Sequence, residues 1–243
     1  MTTITVANQK GGVGKTTTAV FLAHGLALAG KSVLLVDLDP QGQVKTLLNV
    51  EDDAGAYDFV VAGRGGWDHL VLKDARPGLD VITGDKRTAD AQAAIRSAET
   101  THLADKLKAA RYDFVVIDTA PSVGDIQALA IYAANWLLIP SKCDFLSSEG
   151  IFKLLETSDQ ATEKGWRGRL FGILPTFYDE QTRESKATIE DLKKHFNNLV
   201  LAPIHQATVI RESAAEGKTI FEQAPTSRAA EEYQALVDRM LKA

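Results

Sequence analysis

Four residues, Ile4–Ala7, run directly into Asn8-Gln9-Lys10-Gly11-Gly12-Val13-Gly14-Lys15-Thr16-Thr17, and a helix-length segment follows, Thr16–Leu28. A strand, a glycine-rich turn and a helix in this order leave the chain few ways to continue, because a helix that returns the chain to a parallel neighbour is the usual crossover. Glycines let a backbone wrap its N–H groups around an anion, and the helix start adds the positive end of its dipole. Lys15 then supplies a point charge for the β- and γ-phosphates of a nucleotide, and the Thr16 hydroxyl a ligand for Mg²⁺. The pattern G-x-x-x-x-G-K-[ST] fails at one position, since Gln9 stands where its first glycine belongs, while an additional lysine, Lys10, enters the loop. The bland alternative is a flexible surface turn with two lysines; strand, glycines, Lys-Thr and helix in sequence argue against it.

Further short apolar runs recur between helix-length segments: Val33–Val36, Leu79–Ile82, Phe114–Ile117, Trp136–Ile139, Leu170–Leu174 and Val200–Ile204. This is how parallel strands buried on both faces read in a sequence. Helices are expected over Thr88–Ala110, Ser122–Ala133, Ser147–Glu163 and Thr182–Phe196, with Gly30 stopping the first helix. The fold class is α/β, a doubly wound, mostly parallel sheet flanked by helices. No repeat or linker divides the chain, so residues 1–243 are expected to form a single domain. Asp52–Gly66 and Gly63–Trp67 read as surface loop.

In such sheets ligands gather beyond the carboxyl ends of the strands. The second run ends Val36-Asp37-Leu38-Asp39-Pro40-Gln41-Gly42, which places two carboxylates on one side of an extended strand. They can face Mg²⁺ and an attacking water, or simply end a strand, for which Asp-Pro is ordinary punctuation. The fourth run ends Val116-Ile117-Asp118-Thr119-Ala120-Pro121, and an acid after four hydrophobics suits a magnesium-bound water opposite Thr16. Asp118 is the Walker B candidate.

Charge narrows the partners. With 27 Lys and Arg against 32 Asp and Glu the net charge is −5, which excludes a purely basic nucleic-acid coat. The single cysteine, Cys143, excludes an intramolecular disulfide and a multi-thiolate metal site, and fits a reducing cytoplasm. Cys143 reads as a quiet, semi-buried residue, and the five histidines stand at no metal-ligand spacing. Neither a signal peptide nor a membrane-length apolar run is present. Ala230, Tyr233, Leu236, Val237, Met240 and Leu241 form an apolar stripe at helical spacing, read as core packing because Glu231, Glu232 and Asp238 on its polar face would be repelled by an anionic membrane.

K-G-G-V-G-K-T-T, then V-D-L-D-P-Q-G, then V-V-I-D-T-A-P resemble the deviant Walker A ATPases of the ParA/MinD superfamily, and most closely the Soj-like ParA partition ATPases. Gly150–Lys153, Tyr178–Lys194 and Val209–Tyr233 resemble later segments of that family, so the likeness covers most of the chain. The short distance before the first strand is similar to members without an N-terminal DNA-binding extension. The resemblance implies that ATP and Mg²⁺ are cofactors and that Lys10 reaches across an ATP-bound sandwich homodimer to the partner's nucleotide. Gly11, Gly12, Val13, Gly14, Lys15, Thr16 and Thr17 would bind phosphates, with Pro175 and Thr176 in an adenine pocket near Phe177, Tyr178, Pro203 and Ile204. Asp39 would orient water, with Thr16, Asp37 and Asp118 around the metal. The family also implies nonspecific binding of double-stranded DNA, stimulation by a cargo-bound, ParB-like adapter, and a cytoplasmic, nucleoid-associated location without a membrane.

Arg211 resembles an arginine that contacts DNA in Soj-like proteins, whereas the family's second arginine falls at Gln181, with Arg183 nearby. Lys186, Lys193, Lys194, Lys218 and Arg228 concentrate further positive charge late in the chain, although Glu184, Glu190, Asp191 and Glu212 between them fit a solvated mixed-sign surface equally well. Arg183, Lys186, Arg211 and Lys218 are the DNA-binding candidates. Two other functions are compatible with the same loop: a MinD-like membrane-associated positioning ATPase, and an ATP-dependent small-molecule amide ligase.

Overall fold

A computed structural model describes residues 1–51, 55–61, 67–94, 102–121, 124–144 and 147–243. Among the described residues seven strands form one sheet: β1 (Thr2–Val6), β2 (Val33–Leu38), β3 (Leu72–Arg76), β4 (Leu79–Ile82), β5 (Phe114–Thr119), β6 (Trp136–Lys142) and β7 (Arg169–Thr176). Their spatial order is β3-β4-β2-β5-β1-β6-β7, parallel throughout except for the β3–β4 hairpin at one edge. The helices are α1 (Lys15–Leu28), α2 (Gln43–Leu48), α3 (Ala56–Val61), α4 (Thr88–Ala94), α5 (His102–Leu107), α6 (Asp125–Ala133), α7 (Ser147–Glu163), α8 (Arg183–Phe196), α9 (Thr208–Ala215), α10 (Ile220–Gln223) and α11 (Arg228–Leu241).

The period-2 alternation of a strand decides which residues serve which face. In β2, Val33 and Leu35 join one apolar cluster with Phe21, Leu22 and Leu26 of α1, while Leu34, Val36 and Leu38 join a second with Phe59, Leu103 and Leu129. A third cluster, with Leu137, Ile139 and Ile173 from the sheet and Ile151, Leu154 and Leu192 from α7 and α8, covers the β6–β7 end. Helix α1 is buried along almost its whole length because α11 lies outside it, and Phe21 meets Tyr233 edge to face at 5.0 Å. The stripe Ala230, Tyr233, Leu236, Val237 and Met240 is thus core; Leu241 falls outside it, 37% exposed. Helix α1 ends as expected at Gly30, where Gly30 N–H donates to Ala27 O at 2.9 Å and Lys31 N–H to Leu26 O at 3.2 Å.

Four expectations need correction. The helix expected over Thr88–Ala110 stops at Leu107; α4 covers Thr88–Ala94 and α5 His102–Leu107, with Ala91 and Leu103 buried in the same cluster. Residues 95–101 lie outside the described residues, as do 122 and 123, and α6 is described from Asp125. Val200–Ile204 is not a strand: it runs beside β7 through one isolated parallel bridge, Ile173 to Val200, and two backbone hydrogen bonds, Leu201 N–H to Ile173 O and Ile204 N–H to Pro175 O, both 2.8 Å, and Pro203 has no N–H to continue a ladder. Asp52–Gly66 contains α3, whose Ala56, Phe59 and Val60 are buried and whose carbonyls at Phe59 and Val60 accept from the buried Lys106 ammonium. Trp67 is no exposed loop residue; it is buried edge to face on Phe59 at 5.3 Å. The hairpin strand β3 carries too little apolar alternation to be seen in advance, although Pro77-Gly78 marks its turn.

The chain leaves β1 toward β2 on one side of the sheet and leaves β5 toward β6 on the other, with β1 and β5 adjacent. The connections diverge there, which opens the crevice beyond their carboxyl ends where ligands bind in sheets of this kind.

Candidate nucleotide and magnesium site

The glycine-rich loop fills that crevice. Gly14 caps α1 with φ +81°, a left-handed conformation costly for other residues, and Gly12 has φ +69°. Gly11 and Gly12 are exposed, while Val13, Lys15 and Thr16 are buried. Lys15 Nζ donates to Lys10 O at 3.0 Å, across the loop. Burial holds the Lys15 pKa below its usual value, and the nearby charges of Asp118 and Asp39 pull it back up. The far side of the loop is pinned to β7, where the Thr176 hydroxyl donates to Val13 O at 2.9 Å.

Parallel pairing puts Asp37 opposite Asp118 in the β2–β5 register, and both are fully buried. Asp37 Oδ1 accepts from Asp39 N–H at 2.9 Å and Oδ2 from Val44 N–H at 3.2 Å, so this acid holds the turn between β2 and α2. Burial still raises its pKa to about 7, against the backbone hydrogen bonds and with the Asp39 charge adding to the rise. Asp118 is different: neither carboxylate oxygen has a hydrogen-bond partner of good geometry. Burial, then the Asp37 charge, push its pKa well above the usual carboxylate range, while Thr16 and Lys15 lie near enough to pull it partly back. Two orphaned carboxylate oxygens beside a threonine hydroxyl at a helix start fit a small, hard cation; Mg²⁺ is commonly held by one or two protein oxygens together with phosphates. Asp39 lies 7% exposed at the cleft, its Oδ1 accepting from Gln41 N–H at 2.9 Å.

The cleft between these elements holds about 310 Å³ and is lined by Gly12, Gly14, Lys15–Thr17, Asp39, Gln41, Gln43, Pro121 and Phe177. A narrower slot of about 90 Å³ continues past Gly14 and Thr17 between Thr176, Phe177, Ile204, Ile210 and Tyr233. The structure thus brings together the loop, Asp39 and Thr176. Pro175 lines neither space; its carbonyl accepts from Ile204 N–H at 2.8 Å and seats that segment on β7. Two contributors, Pro121 and Gly84, were not read from the sequence. Pro121 closes the cleft. Phe177, expected near the adenine end, borders both spaces with φ +52°, a conformation rare for an aromatic residue. Gly84 at the end of β4 presses so near the Asp37–Asp39 turn that a Cβ there would stand 2.7 Å from Asp39 O and 2.9 Å from Asp37 O. Only the glycine itself, in a Thr-Gly-Asp strand end, hinted at this close approach.

The basic candidates divide. Arg211, exposed on α9, also borders the narrow slot. Arg183 and Lys186 are exposed on the first turn of α8; Gln181 and Thr208, at the starts of α8 and α9, line one 400 Å³ depression together with Asp179, Glu180 and Glu232. Lys218 lies past the C-terminal end of α9, after the Gly217 turn, and pairs with Glu216 at 3.3 Å. Cys143 is buried rather than semi-buried, and burial first, then the Asp144 charge, push its thiol up to about 12, which leaves it unreactive.

Fold and site together define a P-loop ATPase of the deviant Walker A type. A family model described as an AAA domain matches residues 1–169. The chain is 36% identical to the chromosome-partitioning ATPase Soj of Thermus thermophilus over 245 aligned positions, covering 98% of this chain and 94% of that one. It belongs to the ParA/Soj family of chromosome-partitioning ATPases. Among solved structures, apo McdA of Cyanothece superposes with a TM-score of 0.89 at 24% identity, over 99% of each chain. Cobyrinic acid a,c-diamide synthase of Mycobacterium smegmatis, with a bound ATP analogue and magnesium, gives 0.83 at 26% identity over 100% of this chain and 95% of that one. Among the described residues no helix is long and apolar enough to cross a membrane.

Proposed function

We propose that this chain is an ATP-driven switch that positions an intracellular cargo such as a plasmid, a chromosome or a protein organelle. With ATP and Mg²⁺ it forms a sandwich homodimer, the dimer holds double-stranded DNA without sequence preference, and a cargo-bound, ParB-like adapter stimulates hydrolysis. The observation that carries this reading is the position of Lys10. It is a second lysine on the glycine-rich loop, beside the exposed Gly11 and Gly12, where a facing copy of the loop can be reached.

Lys15 and the N–H groups of Gly11–Thr17 would grip the phosphates, and Asp118 and Thr16 would hold Mg²⁺, which supplies charge neutralisation at the β- and γ-oxygens. Asp39 would accept a hydrogen bond from water and aim it at the γ-phosphorus; the water oxygen forms the new P–O bond as the bond to the β-phosphate oxygen breaks, ADP leaves, and the water's proton passes to the released phosphate. Lys10 delivers positive charge to the partner's transferring phosphoryl group, by the logic of an arginine finger supplied in trans. Asp37 acts through the backbone it holds. Thr176 and the slot beside it would take the adenine end, with Pro175 supporting its wall.

Arg211 supports the DNA reading, because its helix borders the nucleotide slot; Arg183 and Lys186 extend the same side, and the ion-paired Lys218 contributes less. On a two-fold dimer each contact is doubled. Binding to DNA would place the protein on the nucleoid in the cytoplasm. The test is binding of the Asp39→Ala protein to random-sequence duplex with ATP, with ADP and without nucleotide, across a salt titration. ATP-dependent binding is expected, with Arg211→Glu lowering the slope of log affinity against log salt by about 2, one phosphate contact per subunit. An ATP-bound dimer that ignores DNA refutes the reading and turns the search to anionic vesicles, for a MinD-like switch, and then to small-molecule acceptors, for an amide ligase.

A further inference from the structure

Lys10 is held within its own chain. Its ammonium lies 2.6 Å from Asp144 Oδ1, just past the end of β6, and both side chains are about three-quarters buried. The root of Lys10 is fixed separately: its N–H donates to Asn8 Oδ1 at 2.9 Å, and Asn8 Nδ2 donates to Pro140 O of β6 at 2.8 Å. Gly150 of α7 allows this close fit, since a Cβ there would come within 2.6 Å of Asn8 Oδ1. With the backbone anchored, the long lysine stem can redirect its charged end without moving the loop.

Asp144 also has a second cation in reach. Lys142 Nζ lies 3.9 Å from Asp144 Oδ2, and the same ammonium sits 5.9 Å from the ring centroid of Phe177, which borders the nucleotide cleft. A carboxylate placed between two lysines loses less when one of them leaves, because the other, here at 3.9 Å against 2.6 Å, compensates part of its charge.

We propose that Asp144 is a positioning residue for Lys10. It holds the lysine in cis, and passing from Lys10 to Lys142 releases the ammonium for the partner's nucleotide as the dimer assembles. The proposal rests on the sandwich-dimer reading above and adds to it an internal contact that opposes dimerisation. A partly buried ion pair of this kind shifts an equilibrium by roughly fivefold. Two such contacts open in a symmetric dimer, so the combined effect is about 25-fold.

The experiment measures the monomer–dimer constant by sedimentation with ATP and Mg²⁺, in an Asp39→Ala background that blocks turnover. Asp144→Asn is expected to tighten dimerisation about 25-fold, and Lys142→Ala, which removes the alternative partner, to weaken it by a fewfold. Changes of opposite sign separate the exchange from structural damage, which would weaken the dimer in both variants. In a Lys10→Ala background the Asp144→Asn effect should vanish. Unchanged or weaker dimerisation in Asp144→Asn, or tightening that persists without Lys10, overturns the proposal while leaving the dimer reading intact. An Asp39→Ala protein that stays monomeric with ATP at all concentrations overturns both.

Discussion

Asp118→Asn should make the protein more stable in the absence of magnesium and nucleotide while removing its response to them. The wild-type carboxyl is fully buried, its two oxygens meet no donor of good geometry, and Asp37 faces it across the β2–β5 ladder. An unpartnered buried polar group costs about 1–3 kcal/mol, more when charged, and an amide removes the charge at nearly constant shape. A gain of about 2 kcal/mol corresponds to a rise in Tm of roughly 4–8 °C for a chain of this size. The sign with pH follows from the raised carboxyl pKa values. Asp37, at about 7, binds its proton more tightly folded than unfolded, so this contribution is complete below pH ~4 and is lost as pH rises through about 7. Burial and the Asp37 charge push Asp118 in the same direction. The advantage of Asp118→Asn should therefore be small near pH 4 and largest near pH 8. Urea unfolding in chelator across this range measures it, followed by thermal shifts with Mg²⁺ and ATP. A variant less stable than wild type in chelator that keeps a full Mg²⁺-dependent shift would refute the reasoning.

Two further changes test the supports of the site. Gly84→Ala drives a Cβ toward the carbonyls of Asp39 and Asp37, with an expected cost of about 1–3 kcal/mol and weaker nucleotide binding; unchanged urea midpoints would remove that contact from the account. Burial lowers the Lys106 pKa to about 8, so the folded state binds this proton less well than the unfolded state between pH 8 and 10.5. Wild type should consequently gain about 1–2 kcal/mol relative to Lys106→Met between pH 7.5 and 10, read from paired urea curves, whereas parallel stability profiles would contradict the buried ammonium.

The magnesium reading shows how a local pattern becomes chemistry only after folding. Val-Val-Ile-Asp announces a buried strand ending in an acid, and Asp37-Leu38-Asp39 puts two carboxylates on one side of a strand end. Neither says which acid keeps free oxygens. That depends on which backbone N–H groups arrive from elsewhere: Asp39 and Val44 occupy both oxygens of Asp37, while none reaches Asp118. The basic residues make the same point in reverse. Arg211 and Lys218 look alike as sequence, but on α9 and just past its end they differ, one at the nucleotide slot and one paired with Glu216.

The sequence by itself determined what depends on nearest neighbours along the chain. Six of the seven strands, the phosphate loop, the Gly30 helix stop and the buried stripe of α11 follow from apolar period, glycine conformation and motif spacing, which are local properties. Tertiary structure alone decided the strand order, the edge hairpin, the short α3 capped by Lys106, and the contacts of Lys10 with Asp144 and of Gly84 with Asp39. Each of these joins residues far apart in the chain, and no periodicity encodes them. They exist because burying the apolar faces of the helices on the sheet brings those residues within a few ångströms, where charge and excluded volume act.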